Sequence, residues 1–175
     1  MLTKIEDLNI ASREAATESF ISCCGSQRWA ARMTQARPFK NIDELLERAE
    51  QIWWNLEKSD WLEAFASHPK IGERPAKSHP NSQSSQWSTQ EQSGVDLAAS
   101  ETLNALTEVN SAYEKKFGYI FIVCATGKSA QEMLALCRQR LSNDPKIELR
   151  IAAEEQRKIT EIRLKKFLGV LESDE

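Results

Sequence analysis

One run of this sequence reads as a β-strand: residues 119–125 are apolar, aromatic and β-branched, and no second such run exists to pair with it. A strand without a partner leaves its backbone N–H and C=O groups to be satisfied some other way. The run is therefore expected to be a buried extended segment inside an all-α, single-domain multi-helix bundle.

The rest of the chain supports that class. Ser12 is placed to cap a first helix carrying Ala15, Ala16, Ser19 and Phe20, which Gly25-Ser26 breaks. A second helix carries Trp29, Ala30 and Met33 and stops before Pro38. Asn41 caps a third, with Leu45, Leu46, Ala49, Ile52, Trp53 and Leu56 at helical spacing; Asp43 and Glu44 in its first turn suit the helix dipole. Ser59 or Asp60 opens a short fourth helix over 61–66, which must end near His68 because Pro69 disfavours the α conformation in the residue before it. Residues 70–87, rich in Gly, Pro, Ser, Gln and Asn, read as a long polar loop of about 18 residues, and loops of that length are functional or disordered. Ser88 then restarts a helical pattern to about Phe117, with Gly118 as its stop. Ser129 caps the next helix, through Met133, Leu134, Leu136 and Cys137. Asn143-Asp144-Pro145 turns the chain into a last helix over 145–171.

Composition excludes several function classes. The chain has 175 residues, enough for one domain with its own core, here spanning about 8–168. A net charge of −3 offers no basic footprint for nucleic acid; the C-terminal basic residues are interleaved with Glu154, Glu155 and Glu161. Cys23, Cys24, Cys124 and Cys137 form no CxxC. With His68 and His79 as the available histidines, no metal site is expected. Neither a signal peptide nor a membrane-length apolar run is read. The closing residues Glu172-Ser173-Asp174-Glu175 are not a peroxisomal address, so a cytoplasmic location is the default expectation.

Three places could carry chemistry. His68, at a helix end before a proline, is either a histidine bonded to the last helix carbonyls or a proton donor and acceptor near neutral pH. His79 has the same proline neighbour but reads as an ordinary loop residue. Ser88-Thr89-Gln90-Glu91-Gln92 fits a Ser-x-x-Glu capping box, and a helix N-terminus there would also offer an anion its free N–H groups, beside Glu91 and Gln92. Arg163 lies on the inward stripe of the last helix with Leu149, Ala152, Ile159 and Phe167, whereas Arg157, Lys158, Lys165 and Lys166 mostly fall elsewhere. An inward guanidinium needs an internal carboxylate or a ligand.

These pieces together resemble one family. Ser67-His68-Pro69-Lys70-Ile71-Gly72-Glu73 is similar to the histidine motif of the 2-oxo-4-hydroxy-4-carboxy-5-ureidoimidazoline (OHCU) decarboxylases, and Ser88 to Gly94 to their Ser-x-x-Glu-Gln motif. Phe117 to Ala125 resembles their apolar substrate-lining segment. Glu148-Leu149, Ile159 and Arg163-Leu164 resemble the helix that supplies their arginine, and Arg37-Pro38-Phe39 an element after their first helices. One departure is Ile120, where many members carry proline. The resemblance implies an all-helical enzyme of urate breakdown that uses no cofactor or metal and releases carbon dioxide to leave (S)-allantoin. It implies His68, Glu91 and Arg163 as catalytic residues. Pro69, Ser88, Gln92, Phe121, Ile122, Val123, Cys124 and Ala125 would line the substrate. A small-molecule substrate is implied, with no nucleic-acid or membrane partner; some relatives are homodimers. Two other readings stand beside it: a metal-free hydrolase of a cyclic ureide on the same scaffold, and a non-catalytic helical binding protein.

Overall fold

Every regular element in the computed structural model is an α-helix; the described residues are 4–72, 83–92 and 100–171, and no β-strand occurs among them. They are α1 (Lys4–Ile10), α2 (Arg13–Cys24), α3 (Gln27–Gln35), α4 (Ile42–Trp54), α5 (Lys58–Ala66), α6 (Gln83–Glu91), α7 (Ser100–Phe117), α8 (Ala130–Leu141) and α9 (Pro145–Phe167). The chain divides into two compact units: one holds the residues up to Ala64 and those from Arg157 on, the other is Phe65–Gln156.

In the first unit the caps fall where the sequence puts them. Ser12 accepts from Ala15 N at 3.1 Å and Asn41 from Glu44 N at 2.9 Å. The helix that Ser12 opens is the second, because α1 precedes it. Arg37 ties the end of α1 to the end of α3: its Nη1 donates to Leu8 O at 2.7 Å and Ala11 O at 2.8 Å, and its Nε to Thr34 O at 3.1 Å. The apolar faces close on Phe20, Trp29, Met33, Leu45 and Trp53, all essentially inaccessible. Phe20 meets Trp29 edge-on at 5.8 Å, and the indole N–H of Trp29 is satisfied by Ala49 O at 3.1 Å. The fourth predicted helix starts earlier than expected. Asp60 is its third residue rather than its cap, and its carboxylate reaches back to Glu57 N at 3.0 Å, the returning half of a capping box.

The second unit is built on α7 and α8. Their core is Leu106, Val109, Tyr113, Met133 and Cys137, joined by Phe121, Val123 and Ala125 from the extended segment. Gly118 ends α7 at φ 82°, and its N–H returns to Glu114 O at 2.8 Å, a conformation an L side chain rarely takes. Ser129 and Glu132 form a reciprocal capping box on α8. Lys116 Nζ donates to Leu141 O at 2.7 Å and Asn143 O at 3.0 Å, at the C-terminal end of α8, where a cation is favoured.

Two further boundaries differ from expectation. The last helix stops at Phe167, not 171: Gly169 at φ 73° donates to Lys166 O and Val170 N to Lys165 O, a Schellman stop. More consequentially, helix resumes at Gln83, so Ser88 lies inside α6 and Glu91 is its final residue. The polar loop is shorter at its far end than residues 70–87 suggested, and the helix from Ser88 does not run on to Phe117 unbroken, because α6 turns at Gln92. His79 and residues 73–82 and 93–99 lie outside the described residues.

Candidate active site

His68 follows α5 by two residues. Its backbone N–H donates to Phe65 O at 3.2 Å, closing the helix end as the following proline requires. Its half-buried ring points Nε2 at Gln156 Oε1, 2.7 Å away, on the fully buried face of α9. The turn after His68 is pinned on two further sides. Gly72 N donates to Gln92 Oε1 at 3.2 Å, and Ile71 O accepts from Asn110 Nδ2 at 3.3 Å. Lys70 pairs with Glu114 at 2.8 Å, at the surface.

The placement of α6 corrects the reading of the Ser88 motif. Ser88 is buried in mid-helix and its carbonyl accepts from Gln92 N at 3.2 Å, so Ser88 and Glu91 form no N-terminal capping box. Glu91 and Gln92 sit at the C-terminal end of α6, where the dipole and free carbonyls repel anions, and the expected anion site at a helix N-terminus is not there. What survives is the proximity of the amide to the histidine turn and of the acid to Cys124. Gln92 holds that turn directly, and the Glu91 carboxylate lies close enough to Cys124 to push its thiol pKa upward, although burial and then Glu155 contribute more to that rise.

Residues 121–125 are all buried, yet the segment joins no sheet. Charged side chains replace the missing ladder. Arg140 Nη1 donates to Ile122 O at 2.7 Å, Cys124 N donates to Glu155 Oε2 at 2.7 Å, and Lys128 Nζ donates to Cys124 O at 2.8 Å. Arg140 is itself held by Glu148, with Nε and Nη2 on Oε1 at 2.8 and 2.6 Å, while its guanidinium lies 4.6 Å from the Phe121 ring centre. Tyr113 Oη also donates to Glu148 Oε1, and Asn143 Nδ2 donates to Oε2 at 2.9 Å. Bound to Glu148 and pushed up first of all by burial, the Tyr113 hydroxyl has a pKa well above the usual phenol range and stays protonated.

In the second unit, then, the turn carrying His68 and Pro69, the end of α6 with Glu91 and Gln92, the segment 121–125, and α9 at Glu155 and Gln156 are linked by hydrogen bonds and by charge. Sequence reasoning missed Gln156, Glu155, Arg140 and Lys128. For those on helices the available signal was a polar residue on an inward face, which was read only for Arg163; Lys128 lies before α8, where no such signal exists.

Arg163 belongs to the first unit. The helical spacing placed it correctly: it is 1% exposed, as inaccessible as its neighbour Leu164. Its charge acts on Cys23 and Cys24, partly offsetting the burial that pushes both thiols up to about 12. A cavity of the same unit is lined by Trp29, Trp53, Glu50, Arg157 and Glu161; none of His68, Glu91 and Arg163 lines it. Among the described residues no cluster of His, Cys, Asp and Glu is arranged to hold a metal ion, and no helix is long and apolar enough to cross a membrane.

A sequence model described as OHCU decarboxylase matches residues 9–165. The chain belongs to the OHCU decarboxylase family. The all-helical expectation and the resemblance drawn from the motifs are both borne out. An Arabidopsis thaliana relative, "Uric acid degradation bifunctional protein TTL", is 43% identical over 158 residues, covering 89% of this chain and 48% of its own length. A Bacillus sp. (strain TB-90) "Uric acid degradation bifunctional protein" is 26% identical over 173 residues, 95% of this chain and 32% of its own. The chain thus spans half or less of these relatives. A crystal structure of an OHCU decarboxylase in the presence of (S)-allantoin superposes with a TM-score of 0.76 at 38% identity, covering 91% of this chain and 99% of the other. The backbone of segment 121–125 is held by Arg140 on Ile122 O, and by Glu155 and Lys128 on Cys124 N and O.

Proposed function

We propose that this chain decarboxylates 2-oxo-4-hydroxy-4-carboxy-5-ureidoimidazoline to (S)-allantoin and carbon dioxide in urate degradation, with His68 as general acid/base. The observation that carries the reading is the joining, within one unit, of the His68 turn to the α6 end through Gln92 and to α9 through Gln156. The chemistry suits so small a set. When the bond to the carboxylate breaks, its electron pair forms a C=C with the neighbouring ring carbon, and the C=N there passes a pair to nitrogen. No external electron sink is needed. The resulting enol becomes a ketone as a proton is added to that neighbouring carbon, so the reaction consumes one proton and releases one carbon dioxide. Protonation from one face gives one enantiomer.

In this scheme His68 acts on the substrate hydroxyl and then in proton delivery. Glu91 orients His68 or the hydroxyl and ureido groups, and Arg163 grips the substrate's polar end. Pro69, Ser88, Gln92 and residues 121–125 line the ring and keep water out. A small-molecule substrate, no nucleic-acid or membrane partner, a cytoplasmic location and one working domain go with the reading, and a homodimer is compatible with it.

The test generates the substrate freshly from urate with the two upstream enzymes and follows circular dichroism for (S)-allantoin. The expected result is acceleration over spontaneous decay with carbon dioxide release. No acceleration overturns the activity, and ring opening without carbon dioxide assigns a hydrolase instead. His68→Asn is expected to lose about 100-fold or more in kcat, as removal of a general acid/base does; turnover like the parent's removes His68 from the role.

A further inference from the structure

Gln156 occupies an inward position of α9. Ala152, Ala153, Ile159 and Thr160, its neighbours three and four residues away on both sides, are all buried. An amide in such a place is costly unless it is hydrogen-bonded, and this one, 0% exposed, meets His68 Nε2 at 2.7 Å. The amide oxygen can only accept. With the amide oxygen turned to the ring, the bond forms when the ring carries its hydrogen on Nε2, and the basic lone pair of the neutral imidazole is then on Nδ1.

We infer that Gln156 is a positioning residue that fixes the orientation and tautomer of His68 and thereby makes Nδ1 its proton-transferring nitrogen. This rests on the acid/base role proposed above for His68. An amide suits the task better than a carboxylate. It does not ionise in the working range, and it keeps its bond to Nε2–H whether the ring is neutral or protonated, so His68 can pass through both states without moving. A carboxylate would favour the imidazolium and hold the proton on the ring. The adjacent Glu155 holds the N–H of Cys124 at 2.7 Å, so one turn of α9 registers both the histidine and the lining segment.

The experiment labels histidine with ¹⁵N in the full chain and reads the tautomer of His68 from its ring nitrogen shifts, with kcat and KM measured in parallel. The expected result is an Nε2–H tautomer in the parent. Gln156→Leu should lose that preference and lower kcat about 10- to 100-fold, less than loss of the base itself, with little change in KM. Gln156→Glu should make the ring titrate about one pH unit or more higher, as an opposite charge beside it does; a structural role alone would not move that reading. An Nδ1–H tautomer in the parent overturns the inference. So does a folded Gln156→Leu with the parent's kcat and tautomer. If the leucine variant does not fold, the parent's tautomer and the titration of Gln156→Glu decide. A parent that accelerates nothing but shows the Nε2–H tautomer refutes the decarboxylase reading and leaves the Gln156–His68 pairing standing.

Discussion

Replacing Arg140 by methionine keeps most of the side-chain volume and removes the charge. Glu148 is 0% exposed and Arg140 7% exposed, and the carboxylate accepts from the guanidinium Nε at 2.8 Å and is ion-paired with its Nη2 at 2.6 Å. Arg140→Met leaves a buried carboxylate with, among the described residues, Tyr113 and Asn143 to solvate it, and leaves Ile122 O without its 2.7 Å donor. Breaking one half of a buried pair costs about 3–5 kcal/mol, a large share of the 5–15 kcal/mol typical of a domain. At about 2–4 °C per kcal/mol for a chain of this size, the melting temperature should fall by roughly 6–20 °C. Glu148→Met should cost a comparable amount. The double variant should cost less than the two singles summed, by several kcal/mol, because it strands neither charge. Urea melts followed by circular dichroism close the cycle. A single variant that loses under about 1 kcal/mol, or singles that add to within about 0.5 kcal/mol, would refute the idea that these charges hold each other inside.

Two further outcomes follow from local features. Burial pushes the thiols of Cys23, Cys24 and Cys137 up to about 12, from the ordinary thiol value of 9.0 that the unfolded chain takes. Above pH 9.0 the unfolded chain releases protons that the folded one keeps, so stability that is fully present below pH 9.0 is lost toward pH 12, by about 1.4 kcal/mol per pH unit for each thiol. Cys23→Ala should flatten the fall in unfolding free energy between pH 9 and 11 by that slope, and identical slopes would refute the assignment. Ser129→Ala removes the acceptor for Glu132 N at 3.2 Å and should cost about 1 kcal/mol in a urea melt; a loss below a few tenths would show that the capping box contributes nothing.

The sequence was informative where the cause is local. Ser12, Asn41 and Ser129 cap their helices because each side chain bonds an N–H three residues on, and Gly118 stops α7 because the backbone there has positive φ. It was misleading at α6. Ser-x-x-Glu occurs inside helices as well as at their starts, and Gln83, Ser84, Ser85 and Gln86 show no apolar period, so only the burial of Trp87 and Ser88 reveals which turn of the helix they occupy.

By itself the sequence determined that the chain is helical, that residues 119–125 stand alone, that Arg163 faces inward, and which family the motifs resemble. Those conclusions need only the helical period, the cap chemistry and the residues themselves. Tertiary structure alone decided what satisfies the lone segment and the histidine: Arg140, Glu155 and Lys128 on the backbone of 122–124, and Gln156 on His68, 88 residues away in the chain. The physical reason is that a buried polar group demands a partner without specifying which one. Any of many inward polar residues could have met that demand, and only the packing of the helices selects among them.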